Sequence, residues 1–133
     1  MKTVQISARW TGEGLNFNAT DTKGNEIKMG REGVSASQMI LLGLAGCMGM
    51  DIVSILQKKR QAITDVAVQV IAQQADDYPK PYQDIEVAFT VKGDGVDSKA
   101  VARAIQLSME KYCIVGQTLQ NEVKLTTSFT IET

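Results

Sequence analysis

Two cysteines carry the nucleophilic chemistry that this chain can offer. Cys47 lies inside the most apolar stretch of the 133-residue sequence, between Gly46 and Met48, and Cys113 follows Tyr112 at the end of a helical pattern. The chain contains no histidine. Ser-His-Asp triads, Cys-His pairs and histidine-rich metal sites are therefore excluded. Thiol chemistry is the first candidate for any catalysis by this protein.

Packing is the alternative explanation for Cys47, because cysteine is often a small buried hydrophobic residue. Cys47 lies about three turns into its predicted helix, where the helix N-terminus has little influence on a thiol. Asp51, four residues later, shares its face of the helix, and an ionised carboxylate there would oppose ionisation of a neighbouring thiol. A reactive thiolate at Cys47 therefore needs a cation or a donor from elsewhere in the fold, and Arg9 and Arg31 are candidates.

Considered together, the two cysteines leave a redox pair open and disfavour other roles. Zinc usually takes four ligands from cysteine, histidine or carboxylate, and only two cysteines are available, so no metal site is expected. A permanent structural disulfide is disfavoured in a reducing compartment. Cys47 and Cys113 are far apart in the sequence, so only the fold can bring them within bonding distance. Lys111 is the nearest cation that could serve Cys113.

Length and composition predict one soluble domain, residues 1–133. The formal net charge of -1 argues against nucleic acid or an anionic membrane as a main partner. The first seven residues alternate like a strand and lack the continuous apolar core of a signal peptide, so a cytoplasmic location is expected. Residues 39–56 are about long enough to span a membrane, but Asp51 lies among them, which favours the buried helix of a soluble protein.

The hydrophobic periodicity predicts an α+β fold with the order βββ-α-ββ-α-β. The first helix should begin at a Ser35–Gln38 capping box and be buried on most sides. The predicted elements are strands at 3–11, 15–19 and 26–29 in an antiparallel meander, a helix at 36–61, strands at 66–72 and 85–91, a helix from 97 or 98 to 112, a short connection at 113–120 and a last strand at 123–131.

Three glycines recur in the first predicted helix, at Gly43, Gly46 and Gly49. Each interior glycine costs a helix about 1 kcal/mol relative to alanine, so a compensating close approach by another backbone is expected. An apolar helix with such a row needs more cover than one small domain provides. The sequence therefore predicts a homodimer with a large apolar interface.

The two cysteine contexts resemble those of a known family. Cys47 follows Leu44-Ala-Gly in a capped apolar helix, and Glu110-Lys-Tyr-Cys113 ends the second helix. The opening strand also carries Trp10-Thr-Gly. With the βββ-α-ββ-α-β order, these features resemble the OsmC/Ohr family (osmotically inducible protein C and organic hydroperoxide resistance protein), and the resemblance covers essentially the whole chain.

The resemblance implies an OsmC-like intertwined homodimer with two sites at the subunit interface, and no cofactor. It implies that Cys47 is the peroxidatic thiol and Cys113 the resolving thiol in the reduction of a small organic hydroperoxide. The Cys47 thiolate would attack the O–O bond and become a sulfenic acid, which Cys113 would convert to a disulfide. An external dithiol reductant would then regenerate both thiols.

The sequence also departs from the best-studied members of that family. Ser37 and Gln38 stand where those members place a glutamate, and Ile114 replaces the usual proline after the second cysteine. Residues 11–20 contain no arginine, and Arg9 is the nearest substitute. The chain is thus more similar to the OsmC-like branch that includes YhfA.

Three functional hypotheses follow. The first is a thiol-dependent peroxidase that acts on organic hydroperoxides through Cys47 and Cys113. The second is a redox sensor or binding protein that holds an apolar ligand without turnover. The third keeps the dimeric fold and treats both cysteines as packing residues.

Overall fold

The computed structural model describes residues 1–132 and confirms the predicted α+β class. Its elements are β1 (Ser7–Trp10), β2 (Asn16–Thr20), β3 (Glu26–Gly30), α1 (Met39–Lys58), β4 (Ala62–Gln74), β5 (Tyr82–Asp94), α2 (Ser98–Leu107), a π-helical turn (Ser108–Tyr112) and α3 (Ile114–Gln120). The chain divides into two compact units, Met1–Gly43 and the part from Leu44 onward. The expectation of a single domain stays a prediction.

The first unit contains the predicted antiparallel meander, in the order β1-β2-β3. Asn18 on the middle strand lies opposite Arg9 on one side and Lys28 on the other. The turn between β2 and β3 is closed by Asp21, whose carboxylate accepts the backbone N–H groups of Lys23 and Asn25, each at 2.9 Å. Short-range polar signals of this kind are typical of tight turns, and they made this hairpin predictable.

The second unit is built on a long antiparallel pair, β4 and β5. One row of α1 side chains, spaced four residues apart, is buried in this unit: Leu44, Met48, Ile52 and Leu56. Ile52 and Leu56 pack with Ala100 and Ala104 of α2. Leu44 and Met48 pack with Cys113. The burial of this row determines the rotation of α1 about its axis, because positions three and four apart share a helix face. It therefore also determines in which directions the other side chains of α1 point.

Helix α1 is shorter than the predicted range 36–61. At its start, residues 36–38 form a turn in which the Gln38 N–H bonds to the Ser35 carbonyl at 3.1 Å. At its end, Arg60 has a φ of 58°, and the Gln61 N–H reaches back to the Leu56 carbonyl at 3.0 Å. A left-handed residue with this backward bond is the usual device that ends a helix, and it stands here without the glycine that signals it in a sequence.

Within the described chain, α1 is buried on one side only, which corrects the expectation of burial on most sides. Ile40, Leu42 and Met50 are exposed, Met50 at 75% of its surface. The helix is long and apolar enough to cross a membrane by length and composition. A core helix of a soluble protein passes the same test, and Leu44 to Leu56 supply the buried row that such a helix needs.

The predicted last strand at 123–131 is not formed in this structure. Residues 122–132 lie in no helix or strand. A strand is held by hydrogen bonds to a neighbouring strand, and none of the described strands pairs with this segment. Its alternate apolar residues Leu125, Phe129 and Ile131 are therefore exposed to 80% or more.

Candidate functional site

The structure brings Cys47 and Cys113 together although they are distant in the sequence. The sulfur atoms of both residues and a carboxylate oxygen of Asp51 all lie within 4.8 Å of one another. Both cysteines are free thiols, Cys47 half-buried and Cys113 fully buried. The proximity that a redox pair requires is thus present in the reduced protein.

Two helices position these groups. Cys47 and Asp51 are one turn apart on α1, next to the buried row that contains Met48 and Ile52. Cys113 is placed by the π-helical turn after α2, in which the Cys113 N–H bonds to the Ser108 carbonyl five residues earlier, at 2.8 Å. Single π-helical turns are frequent at functional sites. This turn ends the second helical pattern at Cys113, whose sulfur lies within 4.8 Å of the Cys47 sulfur.

Cys113 caps the N-terminus of α3. Its sulfur accepts a hydrogen bond from the Gly116 N–H at 3.2 Å, which satisfies one of the unpaired donors at the start of that helix. The predicted connection at 113–120 is therefore mostly helical. The cap gives Cys113 one preferred side-chain orientation, with the sulfur held at the helix start.

The pKa of the Cys113 thiol is raised from 9.0 to about 11, and burial is the largest cause. The hydrogen bond that the Cys113 thiol donates to Cys47 contributes to this rise, and the Gly116 N–H partly offsets it. Negative charge on Cys47 and Asp51 acts in the raising direction as well. Cys113 is therefore held as a protonated thiol that donates a hydrogen bond to Cys47.

Ser108 is a further functional candidate, and the sequence did not single it out. It is fully buried, and its hydroxyl donates a hydrogen bond to Asp51 Oδ2 at 2.8 Å. A serine at a core position of an amphipathic helix was the available signal. The partner could not be read from the sequence, because the bond joins residues of two separate helices.

The three cations predicted as partners of the thiols are Lys111, Arg9 and Arg31. Lys111 is exposed, and its ammonium lies over the Tyr112 ring, 5.2 Å from the centroid. The groups that shift the pKa of Cys113 are Cys47, Gly116 and Asp51 together with burial. Arg9 and Arg31 belong to the first unit, and their part in thiol chemistry stays a prediction.

An apolar cavity of about 200 Å³ adjoins this site. Its lining includes Leu44 and Met109, which pack in the same cluster as Cys113, and Gly116, whose N–H binds the Cys113 sulfur. The remaining lining residues are Gln83, Ile85, Val87, Leu119 and Gln120. A small organic molecule with an apolar body would find complementary surface next to the cluster that contains Cys113.

The raised pKa of Cys113 predicts a pH-dependent stability. Folding favours the protonated thiol, so this contribution is fully present below about pH 9 and is lost as the pH rises towards 11. We expect the stability difference between the reduced wild type and Cys113→Ser to shrink over that window, by at most about 3 kcal/mol. Urea unfolding of both proteins at several pH values measures it, and parallel pH profiles would contradict the assignment.

Comparisons with known proteins agree with this architecture. The family model described as OsmC-like protein matches residues 29–128. Protein YhfA of Escherichia coli strain K12 is 36% identical over 132 residues, which cover 96% of this chain and 98% of YhfA. A solved hypothetical protein from Aquifex aeolicus VF5 is 30% identical, with a TM-score of 0.82 over 90% of this chain and 89% of its own.

A more distant structure shares the fold. The OsmC-like hydroperoxide resistance protein from Jannaschia sp. CCS1 superposes with a TM-score of 0.62 over 95% of this chain and 90% of its own. Its sequence identity is 14%, so the likeness concerns the fold alone.

Proposed function

Because this chain belongs to the OsmC-like protein family, we propose that it reduces organic hydroperoxides through Cys47 and Cys113. The observation that carries the proposal is the meeting of the two thiols, whose sulfur atoms lie within 4.8 Å. Proteins of this fold include one described as an OsmC-like hydroperoxide resistance protein, which supports the choice of substrate class.

The proposed reaction has three balanced steps. The Cys47 thiolate attacks one oxygen of ROOH, the O–O bond breaks, and the alkoxide takes a proton to leave as ROH, so Cys47 becomes a sulfenic acid. The Cys113 thiol then attacks that sulfur, and water leaves as the disulfide forms. An external dithiol reduces the disulfide by exchange and is itself oxidised to a disulfide.

The surroundings of the two cysteines support the proposed roles. Cys47 is half-buried and can meet a substrate, whereas Cys113 is fully buried with a pKa near 11. The thiol that reacts first must be accessible to the substrate, which favours Cys47 over the buried Cys113. The apolar cavity beside Cys113 and Leu44 would hold the organic part of the hydroperoxide.

The test of this proposal is the product of one oxidation. We expect the reduced protein, mixed with one equivalent of cumene hydroperoxide, to form one intramolecular disulfide between Cys47 and Cys113. Mass spectrometry of the intact chain should show the loss of two hydrogens, and peptide mapping should show the linked pair. Over-oxidised Cys47 with a free Cys113 thiol would show that the resolving role is wrong.

We also propose that the protein is a homodimer, as the exposed apolar surface suggests. Its cytoplasmic location stays a prediction. A groove of about 540 Å³ runs along α1 and includes Gly46, Gly49 and the exposed Met50. A Cβ added at Gly46 would meet nothing within 4 Å in the described chain, so the close approach expected there needs a second molecule. The exposed alternating segment at 123–131 likewise lacks a neighbouring strand.

The dimer predicts a specific hydrodynamic result. We expect light scattering to give twice the chain mass of 14.5 kDa at micromolar concentration. Gly46→Leu should weaken the association, because the side chain enters the groove. Ala102→Leu, at an exposed position of α2, is the control that should leave the mass unchanged. A stable wild-type monomer would contradict the proposal.

A second candidate function is a redox sensor or apolar-ligand-binding protein without turnover. The observation that favours it is the Asp51 carboxylate, whose charge lies beside the two thiols and raises the pKa of Cys113. An organic molecule that co-purifies in the cavity would favour this candidate. Hydroperoxide-dependent consumption of a dithiol separates the two functions.

A further inference from the structure

The Asp51 carboxylate has no task in disulfide formation, yet it completes a cluster of three metal-ligating groups. The sequence predicted no metal site because it offered only two cysteines, but the fold adds Asp51 as a third ligand. We propose that the reduced thiols of Cys47 and Cys113, with Asp51, form a binding site for a thiophilic divalent metal ion of the zinc class. The site is distinct in chemistry from the proposed peroxidase reaction and does not depend on it.

The distances suit such an ion. In a tetrahedral zinc site, metal bonds of about 2.3 Å to sulfur and about 2.0 Å to oxygen place the ligand atoms roughly 3.5–3.8 Å apart. The three ligand atoms of this cluster already lie within 4.8 Å of one another. Side-chain rotations that move the ligand atoms by about 1 Å therefore suffice to bring them to the distances of a tetrahedral zinc site.

The spacing of Cys47 and Asp51 along α1 also occurs between the metal ligands of known helical sites. Cys47 and Asp51 are four residues apart on α1, and two ligands at this spacing lie on one face of a helix. The third ligand, Cys113, comes from a separate element and is oriented by its hydrogen bond with Gly116. Two thiolates and one carboxylate are a donor set that zinc accepts, with solvent in the fourth position.

Ser108 supplies the outer support that metal ligands commonly have. Its buried hydroxyl donates to Asp51 Oδ2 at 2.8 Å, which leaves the other carboxylate oxygen to coordinate. Such bonds orient the ligand, and their loss typically weakens metal affinity by 10- to 100-fold. The half-buried state of Cys47 and Asp51 leaves a route from solvent for the ion and for its fourth ligand.

Binding has a defined proton balance. The thiols of Cys47 and Cys113 each lose one proton to solvent, and two thiolates, one carboxylate and a 2+ ion leave the site with one net negative charge. A disulfide consumes both sulfur ligands, so oxidation and metal binding exclude each other.

The experiment uses the full chain, reduced with a phosphine and freed of metal by a chelator. Titration with Co²⁺ should give one equivalent per chain, with a thiolate-to-cobalt charge-transfer band and the visible bands of a tetrahedral ion. Zn²⁺ should displace the colour. Proton release into a weak buffer should approach two equivalents at a pH where both thiols start protonated.

Variants assign the ligands. Cys47→Ser and Cys113→Ser should each remove the stoichiometric charge-transfer band. Asp51→Asn should weaken affinity about tenfold or more, and Ser108→Ala by about 10- to 100-fold. Asp65→Asn, an exposed carboxylate on β4, is the matched control and should bind as the wild type does. Circular dichroism confirms that each variant is folded.

The outcomes separate this site from the proposed reaction. A wild type without the thiolate band at stoichiometric Co²⁺, or Asp51→Asn with wild-type affinity in a folded protein, would overturn the metal site. Metal binding in a protein that forms no disulfide with hydroperoxide would support the site and reject the peroxidase alone. If both hold, saturating Zn²⁺ should slow the oxidation of Cys47 by hydroperoxide.

Discussion

Cys47→Ser is expected to reduce dithiol-dependent consumption of tert-butyl or cumene hydroperoxide to the level of the dithiol blank, a loss of at least about a hundredfold. The thiolate is the nucleophile in this chemistry, and a serine hydroxyl does not replace it. Serine is close in size to cysteine, and Cys47 is only half-buried, so the fold should survive the change. The measurement is the hydroperoxide remaining over time at equal protein concentration.

The control for Cys47→Ser is Lys58→Ser, an exposed position in the last turn of the same helix. It introduces the same side chain into α1 and should keep wild-type activity. If wild type and Cys47→Ser consume hydroperoxide at the same rate, Cys47 is not the nucleophile. If neither exceeds the blank, the binding or sensing function replaces the peroxidase.

The order of elements could be predicted because each signal is local. Period-2 alternation gave the meander of β1 to β3 and the β4–β5 pair, and the apolar run gave α1. The end of α1 was placed three residues too late, since Arg60 adopts the left-handed conformation without a glycine. Propensity alone does not reveal such an ending, which depends on backward bonds from Arg60 and Gln61.

The strand predicted at 123–131 shows what a local pattern leaves out. Alternation describes which side chains would share a face, but a strand also requires a neighbour with free backbone groups. The described chain provides none for Leu125, Phe129 and their flanking residues, which remain exposed. The same argument applies to the exposed face of α1. Its apolar pattern predicts burial, but one chain does not cover it.

The candidate site was predictable in its residues but not in its contacts. The sequence singled out Cys47 and Cys113 and placed Asp51 on the face of Cys47, and the structure has all three together. The bond between Ser108 and Asp51 and the π-helical turn that carries it were not predictable. They depend on how the two helices are positioned against each other, and the residue spacing within one helix does not determine this.

Cys113→Ser is expected to separate the two halves of the reaction. The serine hydroxyl can accept the Gly116 N–H bond at the start of α3, and serine is a preferred residue at that position, so the helix cap should be retained. Cys47 should still be oxidised once by hydroperoxide, but no intramolecular disulfide can form. Turnover with the dithiol should fall by at least about tenfold, because the dithiol must reach the sulfenic acid directly.

The distinguishing product in Cys113→Ser is the oxidation state of Cys47. Without a resolving thiol, the sulfenic acid persists and excess hydroperoxide carries it to the sulfinic acid, which a dithiol does not reverse. Mass spectrometry should therefore show two added oxygens on Cys47 in the variant under conditions that leave the wild type as a reducible disulfide. Equal over-oxidation in both proteins would mean that Cys113 does not protect Cys47, and the close approach of the two sulfur atoms would then serve packing or metal binding instead of resolution.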